Sequence, residues 1–311
     1  MSSDSVMLVQ PHGELLAKIR EDLHEVVSSR ENDLAAIKDW LKKQPHLPDE
    51  MEDSFLLNFL RGCSFSMEKC KRKMDMYFTM RTACPEFFTN RDITRPELMD
   101  LMIRAQNPTL PGLTPGGRRI TVCRGLDKNL ETHQILDAFK IIMMVADVRL
   151  REETEGVAGH VFIFDASILL PSHILKISPT MIKKFLICLQ EAYPLKVKEV
   201  HVVNASPLVD TIYNIVKPFI KEKIKNRIFF HKDYTGLHEY IPVDILPSEY
   251  GGTSSSLEEI TRAWLVKLKE YRPWFKKQES LKANEALRPG KPTDYDELFG
   301  VNGSFRQLSI D

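Results

Sequence analysis

Residues 160–206 read HVFIFDASILLPSHILKISPTMIKKFLICLQEAYPLKVKEVHVVNAS, with two short apolar runs on either side of a stretch with helical spacing. The runs HVFIFDAS (160–167) and EVHVVNAS (199–206) are nearly continuous in apolar residues, which is typical of strands covered on both faces. Between them, Ser178 predicts a helix N-cap and Pro179 the first helical position. Strand, helix and strand in this order predict an α/β fold with parallel strands.

The chain on both sides of this stretch extends the same alternation. RRITVCRG (118–125) predicts an earlier strand, residues 132–152 a long helix, and RIFFHKD (227–233) one more short strand. After residue 256, residues 257–279 predict an amphipathic helix, and the tail from about 280 to 311 mixes proline, glycine and charge, which predicts little regular structure.

The N-terminal part has a different texture, because apolar residues recur there at steps of three and four. Residues 13–45 predict helices that end near Pro45, and a further helix from Asp53 ends at Gly62. Ser66 predicts the N-cap of the next helix. We therefore predict a small all-helical module, an α/β domain and a C-terminal helix with a tail, divided as 1–92, 93–256 and 257–311.

Composition limits the possible classes of function. The 311 residues include 43 basic and 43 acidic side chains, which argues against the strongly basic surface of a nucleic-acid-binding protein. Five scattered cysteines without a C-x-x-C pair indicate free thiols in a reducing compartment. No signal architecture opens the chain, and no apolar run approaches the roughly 18 residues of a membrane span. We expect a soluble, cytoplasmic protein.

The stretch PLVDTIYNIVKPFIKEKIKNRI (207–228) predicts a helix with two dissimilar faces. One face is apolar and the other carries lysines. Pro218 has no N–H to donate, so a kink or break is expected in the middle. Basic residues are concentrated in this stretch and just before it, between Lys196 and Arg227. Taken alone, the stretch fits an ordinary surface helix with a solvated charged face.

Sequence motifs of catalysis or nucleotide binding are absent from the chain. There is no G-x-G-x-x-G after the first strand, no G-x-x-x-x-G-K-[ST], no G-x-S-x-G and no H-E-x-x-H. Asp165 and His201 lie on buried strands, where we interpret them as hydrogen-bonded structural groups; a hydrolase is the less supported alternative. We therefore predict no catalytic residue, no metal site and no cofactor.

Large, adaptable apolar side chains are frequent on the predicted helices and strands around the sheet. Methionine and phenylalanine fit irregular spaces, so these positions fit either a packed core or a cavity for an apolar guest, and spacing does not separate the two. The apolar positions in question are Phe139, Met143 and Met144, Phe162 and Phe164, and Phe185, Cys188 and Leu189.

Six stretches between roughly residues 50 and 255 form a combination with a specific order and spacing. They are FLLNFLRGCSF, MEKCKRKMDMYFTMRTACPEFF, VFIFDAS, SPTMIKKFLICLQEAYPLKVKEVHVVNAS, KPFIKEKIKNRIFFH and ILPSEYGGT. Together they resemble the CRAL-TRIO lipid-binding family, in the branch of the α-tocopherol transfer protein and the cellular retinaldehyde-binding protein. The ending GSFRQLSID (303–311) is similar to the tail of arthropod members.

The resemblance implies a mostly parallel sheet, flanking helices and a mobile lid helix over an apolar pocket. It implies non-enzymatic transfer of a hydrophobic lipid between membranes, transient membrane association, and a phosphoinositide site beside the lid. Protein partners stay unknown. Carried over by position, the pocket is Phe139, Met143, Phe164, Phe185, Cys188, Leu189 and Val200; the lid is Ile212, Val216, Phe219 and Ile220; the phosphoinositide site is Lys196, Lys198, Lys223 and Arg227.

The chain departs from tocopherol-type relatives at four other positions. Cys63 and Asn58 replace arginines, which leaves open whether the phosphoinositide site is weakened. Ile142 and Ala146 replace hydroxyl side chains, and a buried ligand hydroxyl without a partner costs about 1–3 kcal/mol. A retinoid, a carotenoid, a sterol-like lipid or another lipid therefore fits the sequence as well as tocopherol does. The main alternative function is a phosphoinositide-binding regulatory or scaffold module without transfer activity.

Overall fold

The computed structural model describes residues 7–176 and 178–300. The resemblance of residues 303–311 to arthropod tails lies outside this part of the chain. A mixed sheet of six strands lies at the centre of the protein. The strands are β1 (Ala105–Gln106), β2 (Thr109–Leu113), β3 (Arg118–Gly125), β4 (Gly159–Asp165), β5 (Val197–Val203) and β6 (Ile228–Phe230).

The sheet is parallel where the sequence predicts α/β alternation. Strands β3, β4, β5 and β6 are neighbours in this order and parallel to one another. Both β1 and β2 pair antiparallel with the outer edge of β3, so together they form an edge strand that is interrupted at Asn107 and Pro108. The three strands predicted at 118–125, 160–167 and 199–206 are confirmed, as is the short strand near 228.

The described helices number fourteen and lie around this sheet. They are α1 (Gly13–Leu23), α2 (Arg30–Leu41), α3 (Asp53–Gly62), α4 (Met67–Ala83), α5 (Pro85–Phe88), α6 (Pro96–Arg104), α7 (Thr132–Glu152), α8 (Pro171–Lys176), α9 (Pro179–Ile187), α10 (Pro207–Val216), α11 (Glu222–Lys225), α12 (Leu257–Glu270), α13 (Arg272–Gln278) and α14 (Tyr295–Phe299).

Two helix boundaries agree with the sequence and one does not. Ser178 caps α9 by accepting a hydrogen bond from the N–H of Met181 at 3.1 Å, as predicted. Ser66 occupies the N-cap position of α4 but its side chain makes no capping hydrogen bond. The single helix expected over residues 257–279 is wrong, because the chain breaks at Tyr271 and restarts as α13 with Pro273 in its first turn.

Two large apolar clusters form most of the interior, and a small third one contains Ile19, Leu23 and Ala158. The first packs one face of the sheet, including Ile120, Val122 and Ile163, against α6, α7 and α12. The second joins α2, α3, α4 and α5 to α7, to residues 188–195 and to the C-terminal segment that ends in α14. Helix α7 contributes to both clusters, and it therefore links the helical module to the sheet.

The helical module lies close against the α/β part. A Cβ atom at Gly62, the last residue of α3, would lie only 2.1 Å from the carbonyl oxygen of Pro194. No larger residue fits that contact without a backbone shift. All five cysteines are free thiols. None of the described helices is long and apolar enough to cross a bilayer.

Candidate functional site

An apolar cavity of about 250 Å³ lies between the second face of the sheet and helices α7 and α9. Alternation along β3 and β4 turns Thr121, Cys123, Phe162 and Phe164 to this face, away from the first cluster. Phe164 is 37% exposed, so the cavity opens toward the surface there. The remaining lining residues are Ala105, Asn107, Arg124, Gly125, Ala138, Phe139, Ile142, Phe185 and Leu189.

Four of the seven predicted pocket residues line this cavity: Phe139, Phe164, Phe185 and Leu189. The rings of Phe139 and Phe185 stack at 4.2 Å between centroids and close the side toward the helical module. The other three lie elsewhere. Met143 and Cys188 are fully buried in the second apolar cluster, and Val200 is buried on β5 outside the lining. These three side chains miss the cavity because the rotation of a helix and the face of a strand decide where a side chain points, and apolar spacing alone determines neither.

The predicted lid is broken at its proline, as expected. Helix α10 ends at Val216, residues 217–219 form a 3₁₀ turn containing Pro218, and Ile220 is extended before α11 begins. The four predicted lid residues Ile212, Val216, Phe219 and Ile220 are half-buried, and none of them lines the cavity. The lid segment (residues 207–221) instead rests near α9 and on the turn that follows it.

That turn, Cys188–Ala192, is a π-helical extension of α9. Insertions of this kind are frequent at functional sites because they redirect side chains. Here Gln190 points at the lid: its Nε2 donates to the Phe219 carbonyl at 3.0 Å and its Oε1 accepts from the Lys221 N–H at 2.9 Å. The neighbouring Glu191 pairs with the Lys221 ammonium at 2.5 Å.

A second and larger space, the basic cleft, lies on the other side of the same turn. Its volume is about 700 Å³, and eight basic and two acidic residues are among its lining groups. All four residues predicted for an anionic headgroup, Lys196, Lys198, Lys223 and Arg227, meet in it. The remaining charged residues of the lining are Lys69, Arg72, Lys73, Lys221, Asp75 and Glu191.

The charges in the basic cleft are only partly neutralised. Asp75 is engaged by Arg288 and His46, and Glu191 by Lys221. Burial and then the nearby Lys198 ammonium lower the pKa of Lys196. Burial lowers the pKa of Lys73 to about 8, and its ammonium donates to the Gln190 and Tyr193 carbonyls at 2.9 and 2.7 Å. The cleft therefore presents a net positive surface suited to a polyanion.

Comparison with known proteins agrees with this architecture. The family model "CRAL/TRIO domain" matches residues 106–252, and "Pinta-like, UBA domain" matches residues 27–98. "Alpha-tocopherol transfer protein-like" of Homo sapiens is 33% identical over 251 residues, covering 80% of this chain and 72% of that protein.

The chain belongs to the CRAL-TRIO family.

Other members are similar over much the same length. "Clavesin-2" of Rattus norvegicus is 27% identical over 241 residues, which cover 77% of this chain and 74% of that protein. The solved structure "Crystal structure of Sfh5" covers 88% of this chain and 100% of its own at a TM-score of 0.48 and 13% identity, a likeness too weak to add to the assignment. CRAL-TRIO membership supports lipid binding and transfer in general.

Two departures from the family pattern have different structural settings. Cys63 lines the basic cleft, so the arginine missing at this position is missing from the cleft itself. Asn58 is buried outside it and donates to the carbonyls of Leu150 and Glu153 at 2.7 and 3.0 Å. The cleft also contains Lys69, Arg72 and Lys73 of α4, which the sequence did not lead us to predict for this site. Their steps of three and four along one helix were the available signal.

Asp165 and His201 occupy structural hydrogen-bonded positions in this CRAL-TRIO chain. Asp165 accepts from the N–H of Ser167, from the Asn204 amide and from the Tyr250 hydroxyl. His201 is fully buried and its ring nitrogens bond to His231 at 2.9 Å and Glu199 at 3.3 Å. The hydrogen bonds of the two residues run to different partners, so they do not form an acid–base pair.

Proposed function

We propose that this protein binds a small hydrophobic lipid of tocopherol, retinoid or carotenoid type in the apolar cavity and transfers it between membranes, without catalysis. In this proposal the basic cleft recognises a phosphoinositide headgroup while the lid opens. The protein would work in the cytoplasm and associate with membranes transiently.

One observation carries the proposal: the cavity and the basic cleft meet at a single turn that also binds the lid. Leu189 lines both spaces, Gln190 bonds to the lid backbone, and Glu191 pairs with Lys221 of the lid. A polyanion in the cleft competes with Glu191 for Lys221. Binding a headgroup can therefore weaken lid attachment at the place where a lipid has to leave.

The energetics of the basic cleft fit an anionic membrane surface. A Lys or Arg near such a surface contributes about 1 kcal/mol, and the contribution falls within a Debye length as salt rises. Lys198 and Lys223 have no acidic partner within 4 Å among the described residues, so their charge is available. Several such residues together give adequate but reversible attachment, which transfer requires.

The test measures lipid transfer between vesicles that contain a few per cent phosphatidylinositol bisphosphate. Lipid extracted from the purified protein is first identified by mass spectrometry and then used as the cargo. Replacing Lys223 and Arg227 together with alanine should weaken vesicle binding about tenfold or more and flatten its salt dependence, because two interactions of about 1 kcal/mol are removed. Transfer should fall with binding.

The matched control replaces Lys276 and Lys277, two exposed lysines of α13 outside the basic cleft, with alanine. It removes the same charge and should leave binding and transfer near the parent values. Unchanged vesicle binding by the Lys223/Arg227 variant would remove the headgroup site. If no lipid can be extracted from the protein and the parent protein transfers none, the proposed transfer function is contradicted.

A second candidate function is a phosphoinositide-binding regulatory or scaffold module. One observation favours it: at about 250 Å³ the apolar cavity is much smaller than the 700 Å³ basic cleft. The same assay separates the two, since the module binds vesicles through Lys223 and Arg227 but moves no lipid.

A further inference from the structure

Asn107 is a buried amide on the wall of the apolar cavity. The residue is only 8% exposed, and most of the lining around it is hydrocarbon. We propose that Asn107 selects lipids that carry a hydroxyl group, and that its side-chain carbonyl oxygen accepts a hydrogen bond from that hydroxyl. This inference rests on the proposed lipid-binding function and narrows its ligand class.

Asn107 lies at the cavity because the edge strand formed by β1 and β2 is interrupted at this residue. Strand β1 pairs Gln106 with Arg124, and β2 pairs Thr109 with Thr121, so the intervening Asn107 lies opposite the stretch from Thr121 to Cys123. Both Thr121 and Cys123 line the cavity. Pro108 follows and has no N–H for the ladder, which keeps this position out of regular pairing.

One hydrogen bond fixes the orientation of the Asn107 amide. Its Nδ2 donates to the carbonyl oxygen of Ala105 at 2.7 Å. The flipped amide would bring two carbonyl oxygens into contact, which is repulsive, so the flip is excluded. Among the described residues none donates to Oδ1. The group that Asn107 offers to a guest is therefore an acceptor.

Thr121 adds the complementary group. Its hydroxyl lies 3.0 Å from the Thr109 hydroxyl, and either can be the donor. When Thr109 donates, the Thr121 proton is free to point into the cavity. A ligand hydroxyl can then donate to Asn107 and accept from Thr121. An aldehyde, a ketone or an ether can only accept, and it would leave the Asn107 oxygen buried without a partner.

The opposite wall cannot take over this role. Helix α7 presents Ala138, Phe139 and Ile142 to the cavity, and none of these side chains forms hydrogen bonds. Arg124, the other strongly polar lining residue, lies 3.5 Å from Asp165 and 3.7 Å from Glu249, and its Nε has no hydrogen-bond partner among the described residues. A guanidinium only donates, so Arg124 cannot accept the proton of a ligand hydroxyl. The acceptor on the interrupted edge strand is thus the distinguishing polar feature of the lining.

The test compares three probes with one carbon skeleton: retinol, its methyl ether and retinaldehyde. Binding to the full chain is measured by quenching of tryptophan fluorescence. The parent protein should bind retinol about tenfold more tightly than either of the other two, the effect of one satisfied and one unsatisfied buried hydrogen bond. Asn107→Leu should abolish this preference, because it weakens binding of retinol and relieves the other two probes of the cost of an unsatisfied Asn107 oxygen. Asn129→Leu, an exposed change outside the lining, should keep it.

If Asn107→Leu fails to fold, the affinities of the parent protein for the three probes still test the role of Asn107. Equal affinity of the parent for retinol and its methyl ether overturns the role of Asn107 while leaving lipid binding intact. A preference that survives in folded Asn107→Leu overturns it as well. Failure to bind any of the three probes, or any lipid extracted from the protein, counts instead against the proposed function on which this inference rests.

Discussion

Lys73 connects the charge of the basic cleft to the turn that holds the lid. Its ammonium donates to two carbonyls of residues 190–193, and burial holds its pKa at about 8, whereas an exposed lysine titrates near 10.4. Between pH 7 and 9 this ammonium therefore loses most of its charge while ordinary lysines keep theirs. A polyanion in the cleft favours the protonated form, so binding takes up a proton in this range.

We expect the affinity for a soluble inositol polyphosphate to fall severalfold from pH 7.5 to pH 9. The sign follows from the lowered pKa, because the neutral amine that forms above about pH 8 no longer attracts the phosphates. Calorimetric titration at the two pH values measures the change. Lys73→Arg keeps its charge across the range and should show a flatter profile than the parent protein, with the remaining slope coming from Lys196, whose pKa is also lowered. A parent profile as flat as that of the arginine variant would contradict this role of Lys73.

The residues carried over from the family resemblance differ in where the structure places them. Lys196, Lys198, Lys223 and Arg227 lie in one cleft, whereas three of the seven pocket residues lie outside the cavity, and the roles of both sets stay predictions. Asn107 gave no signal, because its importance depends on an interrupted edge strand that brings it opposite Thr121. The placement of Met143 and Cys188 in the core likewise depends on helix rotation, which apolar spacing leaves undetermined.

At the scale of elements, the lid is held by few contacts. It has a proline break, half-buried apolar side chains and two backbone hydrogen bonds to Gln190. The break follows from the covalent structure of Pro218 and was therefore predictable. The contact between Gln190 and the lid was not predictable, because it requires the π-helical turn Cys188–Ala192. A π-helical turn of five residues is too short to change the pattern of apolar residues in the sequence.

We predict that Gln190→Leu loosens the lid without unfolding the protein. Each lost hydrogen bond contributes about 0.5–1.5 kcal/mol, so local opening of residues 217–225 should become about tenfold or more favourable. Hydrogen exchange followed by mass spectrometry measures this as faster exchange in that segment alone. Glu191→Gln removes only the half-exposed pair with Lys221 and should change exchange much less. Equal exchange in the Gln190→Leu and parent proteins would show that apolar packing alone holds the lid.

On the scale of the whole molecule, one carboxylate joins the helical module to the α/β part. Asp147 of α7 is completely buried and accepts hydrogen bonds from four groups, at 2.5–3.0 Å. Burial alone would raise the pKa of Asp147, but the guanidinium groups of Arg81 and Arg91 outweigh it and hold the pKa below its usual range. The four donors are Tyr77, Arg81, Arg91 and Tyr193.

The helical module and the sheet were predictable as separate units, and the family models match them separately at 27–98 and 106–252. Their shared interior was not predictable, since it is made by Asp147, by the second apolar cluster and by the Gly62–Pro194 contact. The division of the chain at residue 92 stays a prediction. The packing argues that the modules unfold together.

Asp147→Asn therefore tests the coupling of the whole molecule. The variant keeps the volume but leaves two buried guanidinium groups without a counter-charge, and breaking a buried ion pair costs about 3–5 kcal/mol. Because the pKa of Asp147 is lowered in the folded state, this stabilisation is complete at neutral pH, above the unfolded pKa of about 3.9, and is lost as pH falls through the lower folded value. Urea denaturation at pH 7 should show a loss of this size.

The unfolding transition reports on coupling as well as stability. Trp40 lies in the helical module and Trp264 beneath the sheet, so fluorescence and far-UV circular dichroism should give one coincident transition in parent and variant. Asp92→Asn, which breaks the exposed pair with Arg272, should cost no more than about 1 kcal/mol. A loss below that value in Asp147→Asn, or a helical module that unfolds at lower urea in the parent protein, would show that the two units are independently stable and that Asp147 does not join them.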